Sequence, residues 1–142
     1  MKQSEIAEKI ARAAHKGQYR KMGDDKGKDY IVHPQRIAEK FNEKHDSLKA
    51  AAWLHDTMED AKLTRENLKN DGIEDPVIDI VEILTRRTGE TYLDFILRIS
   101  ADYNASLIKI EDLKDNMTSL AEGSLKDKYR MAEHILKSRK TL

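Results

Sequence analysis

Residues 50–60 read AAAWLHDTMED, and this stretch decides the fold. Three successive alanines ahead of Trp53 and Leu54 favour helix over strand and allow a close approach to a neighbouring helix. An adjacent pair, His55 and Asp56, follows, and then Glu59 and Asp60. On a helix, His55 and Glu59 are four apart, as are Asp56 and Asp60, so two further carboxylates stack over the pair one turn later. Neighbouring helical residues diverge by about 100°, so His55 and Asp56 both reach one metal ion only if it sits over the edge between their faces. In that arrangement a metal-bound water and a general base lie within one helical turn of each other.

Outward from this segment, the pattern is helical throughout. Ile6, Ile10, Ala13 and Ala14 fall on one face of a first helix, with Ser4 expected as its N-cap and its end near Gly17. Residues 22–29, MGDDKGKD, carry two glycines among charges and read as an exposed loop. Pro34 suits the first position of a helix carrying Ile37 and Phe41, and Asp46 or Ser47 is expected to cap the helix that continues through 50–60. Thr64 opens a short helix that Gly72 closes. Asp75 with Pro76 opens another, with Val77, Ile80, Val81 and Leu84 inward. Thr91 with Asp94 and Ser124 with Asp127 have the spacing of capping boxes, and residues 105–118 form the helix between them. About eight helices around one core are expected, an all-α fold in a single domain over residues 1–142, with no internal repeat or linker.

Composition agrees. The chain has 142 residues, with 26 basic and 26 acidic side chains cancelling to a net charge of zero. Binding to nucleic-acid polymers through counterion release usually needs a basic excess, so DNA, RNA and anionic membranes are not expected as principal partners. Leu, Ile, Val and Phe make up 31 of the 142 residues, about 22%, just above the level of disordered chains. With no cysteine, disulfides, thiolate zinc sites and cysteine nucleophiles are excluded together. No signal peptide or membrane-length apolar run is visible, which makes a cytoplasmic location the expectation and leaves homo-oligomerisation open.

Imidazole and carboxylate are therefore the ligands at hand. The chain offers His33, the pair His55–Asp56 and, later, Asp112, a set able to close around one divalent ion. Asp112 and Asn116 repeat the i, i+4 relation and present a carboxylate and a neutral amide to one side of their helix.

Together these segments resemble a known family. AAHKGQYRKMG at 13–23, YIVHPQRIA at 30–38, AAWLHDTMEDAKLT at 51–64 and IKIEDLKDNM at 108–117 resemble, in order, the motifs of the HD-domain phosphohydrolases. Within that family they are similar to the hydrolase domains of RelA/SpoT type and their small stand-alone relatives. The resemblance implies one Mn²⁺-like ion held by His33, His55, Asp56 and Asp112, and attack of a metal-activated water on a phosphoryl group. It implies Glu59 and Asp60 as the catalytic pair, Asn116 as a nucleotide contact, and Arg20 and Lys21 packed on the base. The implied reaction removes the 3′-pyrophosphate of (p)ppGpp, guanosine-3′,5′-bis(diphosphate). A donor set of nitrogen and oxygen suits Mn²⁺ or another hard to borderline ion and does not exclude zinc.

Two features depart from the long members. Six residues, 24–29, separate Gly23 from Tyr30, and Leu113 and Asp115 stand between Asp112 and Asn116. A carboxylate at 115 is tolerable beside a polyphosphate only if it faces away. His15 lies in a matching segment without an assigned role, and His45 and His134 read as surface residues, so one ion is expected rather than two. The same ligand set also suits a 5′-nucleotidase. A nucleotide-binding regulatory protein that keeps the fold is the non-catalytic alternative, and the intact four-ligand set argues against it.

Overall fold

The computed structural model describes residues 1–140, and for Lys140 the backbone alone. Nine α-helical segments follow one another among the described residues. They are α1 (Gln3–Ala14), α2 (Val32–Ala38), α3 (Asp46–Leu54), α4 (Thr57–Asp60), α5 (Arg65–Asn70), α6 (Asp75–Ile83), α7 (Tyr92–Ser100), α8 (Tyr103–Thr118) and α9 (Ser124–Lys140). The single β-type pairing among these residues is a bridge between Tyr19 and Asp29. The all-α expectation is met.

Helix α3 runs through the middle, packed on α1, α2, α6 and α8. Its alanines explain the position: Ala50, Ala51 and Ala52 are fully buried, as are Ala7 and Ala11 on α1. Side chains of one carbon let the two backbones approach closely, and larger residues follow where the packing opens, with Trp53 and Leu54 inward. Ile37, Val77, Ile78, Ile96, Ile99, Ile108, Leu113 and Leu136 complete a core drawn from α2 and α6 to α9.

Several helix boundaries follow from short-range chemistry. Thr64 caps α5 in a reciprocal capping box with Asn67, Thr91 accepts from the Asp94 amide at the start of α7, and Asp102 accepts from the Ala105 amide at the start of α8. Others differ from expectation. Lys2, not Ser4, precedes α1. Ser4 is buried in its first turn, with its hydroxyl and amide both donated to the carboxylate of Asp46. Asp46 is thereby spent on α1 rather than on capping α3, and it stands as the first residue of α3. Pro34 lies at the third position of α2, and Ser124 is the first residue of α9, with the Asp127 amide bonded to the carbonyl of Gly123.

The largest correction concerns 50–60, which is not one helix. The chain breaks at His55 and Asp56, between α3 and α4. His55 Nδ1 donates to the carbonyl of Ala52 at 2.7 Å and Thr57 Oγ1 to that of Leu54 at 2.8 Å, so side chains take the acceptors that the next turn would use. The break sets the faces of His55 and Asp56 independently of the 100° rule of a continuous helix.

Candidate metal centre

His33 on α2, His55 and Asp56 at the break after α3, and Asp112 on α8 converge on one point. One atom each of His33, His55 and Asp112 lies within 4.8 Å of the other two. His33 Nε2 is 2.8 Å from Asp112 Oδ1 and 3.9 Å from Asp56 Oδ2, while His55 Nε2 is 2.9 Å from Asp56 Oδ2 and 3.6 Å from Asp112 Oδ1. His33, His55 and Asp112 are all at most 4% exposed.

The donor set fits a divalent cation. A carbonyl only accepts, so His55 Nδ1 carries the proton it gives to Ala52, and the lone pair of neutral His55 resides on Nε2. That Nε2 is buried and makes no hydrogen bond among the described residues, although carboxylate oxygens surround it. His33 is held the same way, with Nδ1 on Asp115 Oδ2 at 2.7 Å and Nε2 turned to Asp112. Two lone pairs and two carboxylates facing one point are satisfied by a cation or by protons. With protons alone, burial opposes the imidazolium forms, yet the neighbouring carboxylates outweigh it and hold both histidines above their ordinary range. Burial would likewise raise Asp112 and Asp56. Lys109 with the histidines on the first, and His55 on the second, keep both carboxyls below the usual range and ionised.

Three residues to which the sequence assigns no role at the centre complete it. Tyr30 donates its hydroxyl to Asp56 Oδ2, and burial followed by the charge of Asp56 pushes its ionisation far up, so it acts as a donor throughout the accessible range. Lys109, one turn before Asp112, holds that residue's Oδ2 at 2.8 Å, leaving Oδ1 to the histidines. Asp115 faces away from the cleft, as a carboxylate there must. It accepts from His33 and from Arg36 Nε at 2.8 Å and Nη2 at 3.1 Å. Lys109 looks like an ordinary charge of a highly charged helix, and for Asp115 the fold supplies what the sequence could not, the partners it faces.

A cleft of about 830 Å³ adjoins the centre, within the size range of small-molecule sites. Glu59, Asp60, Arg20, Lys21 and Asn116 line it, together with Tyr19, Tyr30, Lys62 and Tyr129. Glu59 and Asp60 sit on its wall, and both titrate above the usual carboxylate range because of partial burial and the nearby charge of Asp56. Arg20 lies over the Tyr30 ring, 5.6 Å from its centroid, and donates to Asn116 Oδ1 at 2.8 Å, while the Asn116 amide donates to Asp112 Oδ1 at 3.2 Å. Lys62 lines the cleft with φ of 59°, a left-handed conformation that costs a side-chain-bearing residue energy and often marks a functional position. His15 is buried beside Tyr30, with ring centroids 4.8 Å apart, whereas His45 and His134 are exposed.

No family model matches the chain. It is 36% identical over 136 residues to a guanosine-3′,5′-bis(diphosphate) 3′-pyrophosphohydrolase of Haemophilus influenzae, covering 85% of this chain and 19% of that protein. A protein of the same name from Aquifex aeolicus is 33% identical, with 80% of this chain and 17% of the relative covered. A GTP pyrophosphokinase rsh of Brucella melitensis is 30% identical, with 86% and 17% covered. The chain thus spans about a fifth of the length of these relatives. A solved structure described as "A metazoan ortholog of SpoT hydrolyzes ppGpp and plays a role in starvation responses" superposes with a TM-score of 0.73 at 18% identity, over 97% of this chain and 85% of that one. The fold of that structure is shared along nearly all of this chain, and most of this chain is similar in sequence to a part of these RelA/SpoT-type relatives.

Proposed function

We propose that this chain is a metal-dependent nucleotide phosphohydrolase that removes the 3′-pyrophosphate of (p)ppGpp, with one Mn²⁺ as the working ion. The observation that carries the reading is the meeting of His33, His55, Asp56 and Asp112 beside a cleft whose walls are basic at Arg20, Lys21 and Lys62. The names of the relatives agree with it.

His33, His55, Asp56 and Asp112 would hold the ion, which when bound supplies Lewis-acid polarisation of a phosphoryl oxygen and a more acidic water. Lys109 occupies Oδ2 of Asp112 and leaves Oδ1 to the centre, whereas Tyr30 donates to Asp56 Oδ2, the oxygen that faces the two histidines, and so holds it in place. Glu59 and Asp60, with proton affinities raised by burial and by Asp56, would orient the attacking water and accept its proton. Arg20 and Lys21 would pack on the base, Lys62 brings positive charge to the cleft for the polyphosphate, and Asn116 ties Arg20 to Asp112, linking the nucleotide side of the cleft to the reacting side. The nucleotide is the expected partner.

Product analysis tests the reaction. The protein with Mn²⁺ is offered ppGpp, GTP, GMP and dAMP, and pyrophosphate and orthophosphate are measured separately. Pyrophosphate from ppGpp alone supports the assignment. Orthophosphate from GMP or dAMP, with ppGpp untouched, replaces it with a 5′-nucleotidase on the same metal site.

A further inference from the structure

The loop over residues 22–29 is not the free excursion its composition suggests. It is closed at its neck: the Arg20 amide donates to Lys28 O at 2.8 Å, Gly27 N to Arg20 O at 2.9 Å, and Tyr30 N to Gln18 O at 2.9 Å. Arg20 and Tyr30 therefore remain side by side despite the residues between them.

The same loop is strapped at two points, to the residue that ends α8 and, through Arg36, to α2. The Asp24 amide donates to Ser119 O at 2.9 Å. Gly23 adopts φ of +68°, and a Cβ there would lie 2.0 Å from that carbonyl oxygen, so only glycine permits the approach. The second strap is ionic. Asp25 is buried, 5% exposed, in a stretch that is otherwise solvated. Its carboxylate accepts from Arg36, and from Lys28 Nζ at 3.0 Å. Arg36 in turn grips Asp115 with two bonds, and Asp115 holds Nδ1 of His33.

We infer that Asp25, Arg36 and Asp115 are positioning residues, a brace that couples the order of the loop carrying Arg20 and Lys21 to the presentation of His33 as a metal ligand. The inference rests on the metal reading above. Asp115 fixes the tautomer and the ring orientation of His33, because an ionised carboxylate can only accept. Arg36 fixes Asp115, since a planar guanidinium with both oxygens engaged leaves the carboxylate one orientation. Asp25 fixes Arg36 from the loop side. The second path, Arg20 to Asn116 to Asp112, closes the circuit on another ligand. Coupling of this kind is reciprocal: if the loop steadies His33 for the ion, the ion steadies the loop to the same degree.

Two readouts that need no turnover test the brace, on the full chain with folding checked by circular dichroism. Mn²⁺ affinity is measured by calorimetry for wild type, Arg36→Met and Asp25→Asn, and amide exchange of residues 20–28 is followed with and without Mn²⁺. The Mn²⁺ dissociation constant rises about tenfold in Arg36→Met and about fivefold in Asp25→Asn, which touches no ligand. Mn²⁺ slows exchange at Asp24, Gly27 and Lys28 in the wild type and much less in either variant. Faster loop exchange with unchanged affinity would reduce the strap to a local fastening and overturn the coupling. Wild-type uptake of Mn²⁺ with equal affinity in both variants overturns the brace alone. A wild-type protein that takes up no Mn²⁺ overturns the reading of the centre, and the brace with it.

Discussion

Lys109 and Asp112 form a pair inside the protein, with Nζ 2.8 Å from Oδ2 and side chains 14% and 6% exposed. Lys109 also lies 5.3 Å over the ring of Phe95, so its ammonium has little water to fall back on. Asp112→Asn leaves that ammonium buried without its counter-charge, and the metal-free protein loses about 3 kcal/mol of stability. Lys109→Met added to Asp112→Asn recovers much of the loss. Chemical denaturation of the two single variants and the double variant in chelator checks this; additive losses would show that the pair is not coupled.

His55→Ala and Asp56→Ala each remove one donor from the centre, and the apolar core of α3, carried by Ala50, Ala51, Ala52 and Leu54, stays in place. Both variants keep their helical content and lose Mn²⁺-dependent turnover, by at least about a hundredfold. Circular dichroism beside a hydrolysis assay decides it, and full activity in either variant contradicts the site assignment.

Arg20 holds Asn116 and lies over Tyr30, on the nucleotide side of the cleft. If its contribution is to binding, Arg20→Ala raises KM by about tenfold and lowers kcat by less. A steady-state series on ppGpp separates the two constants. A fall in kcat with KM unchanged would move Arg20 to the reacting end.

How much of this was legible in the sequence depends on distance along the chain. The caps at Thr64 and Thr91 use partners three residues away, and spacing alone finds them. The break at His55 is also local, but the apolar periodicity of 50–60 conceals it, because the bonds that make it are side-chain bonds to carbonyls of the preceding turn. The four converging residues stand out through ordered motifs rather than through any one dipeptide. Asp115 stands out as a carboxylate that must face away, but its partnership with Arg36, 79 residues distant, and with Asp25 beyond it shows in nothing local, because a charged residue in a chain with 37% charge looks like solvated surface. Ser4 misleads for the same reason, since its partner Asp46 is 42 residues away.

A pH effect is expected away from the centre. Arg98 grips Glu90 with bonds of 2.8 and 3.0 Å and also donates to the carbonyls of Ile83 and Thr85, tying the end of α6 to α7. The Arg98 side-chain bonds first, then the Arg87 amide, bring the Glu90 carboxyl down to about 2 from an ordinary 4.5. A lowered carboxyl stabilises the fold above its unfolded-state value, and that contribution fades as pH falls from 4.5 toward 2. The gap in thermal midpoint between wild type and Glu90→Gln is therefore widest at neutral pH and closes on acidification. A gap that stays constant with pH would show that the ion pair contributes nothing.

The central claim is that His33, His55, Asp56 and Asp112 form a metal centre that drives hydrolysis of a nucleotide pyrophosphate. Its most direct test is turnover of ppGpp by chelator-stripped protein as Mn²⁺ is added back, with GDP and pyrophosphate resolved and Asp56→Ala run alongside. The account predicts no turnover without metal, GDP and pyrophosphate in equal amounts once about one Mn²⁺ per chain is present, and silence in Asp56→Ala. Turnover that persists in chelator, or that survives in Asp56→Ala, would contradict it.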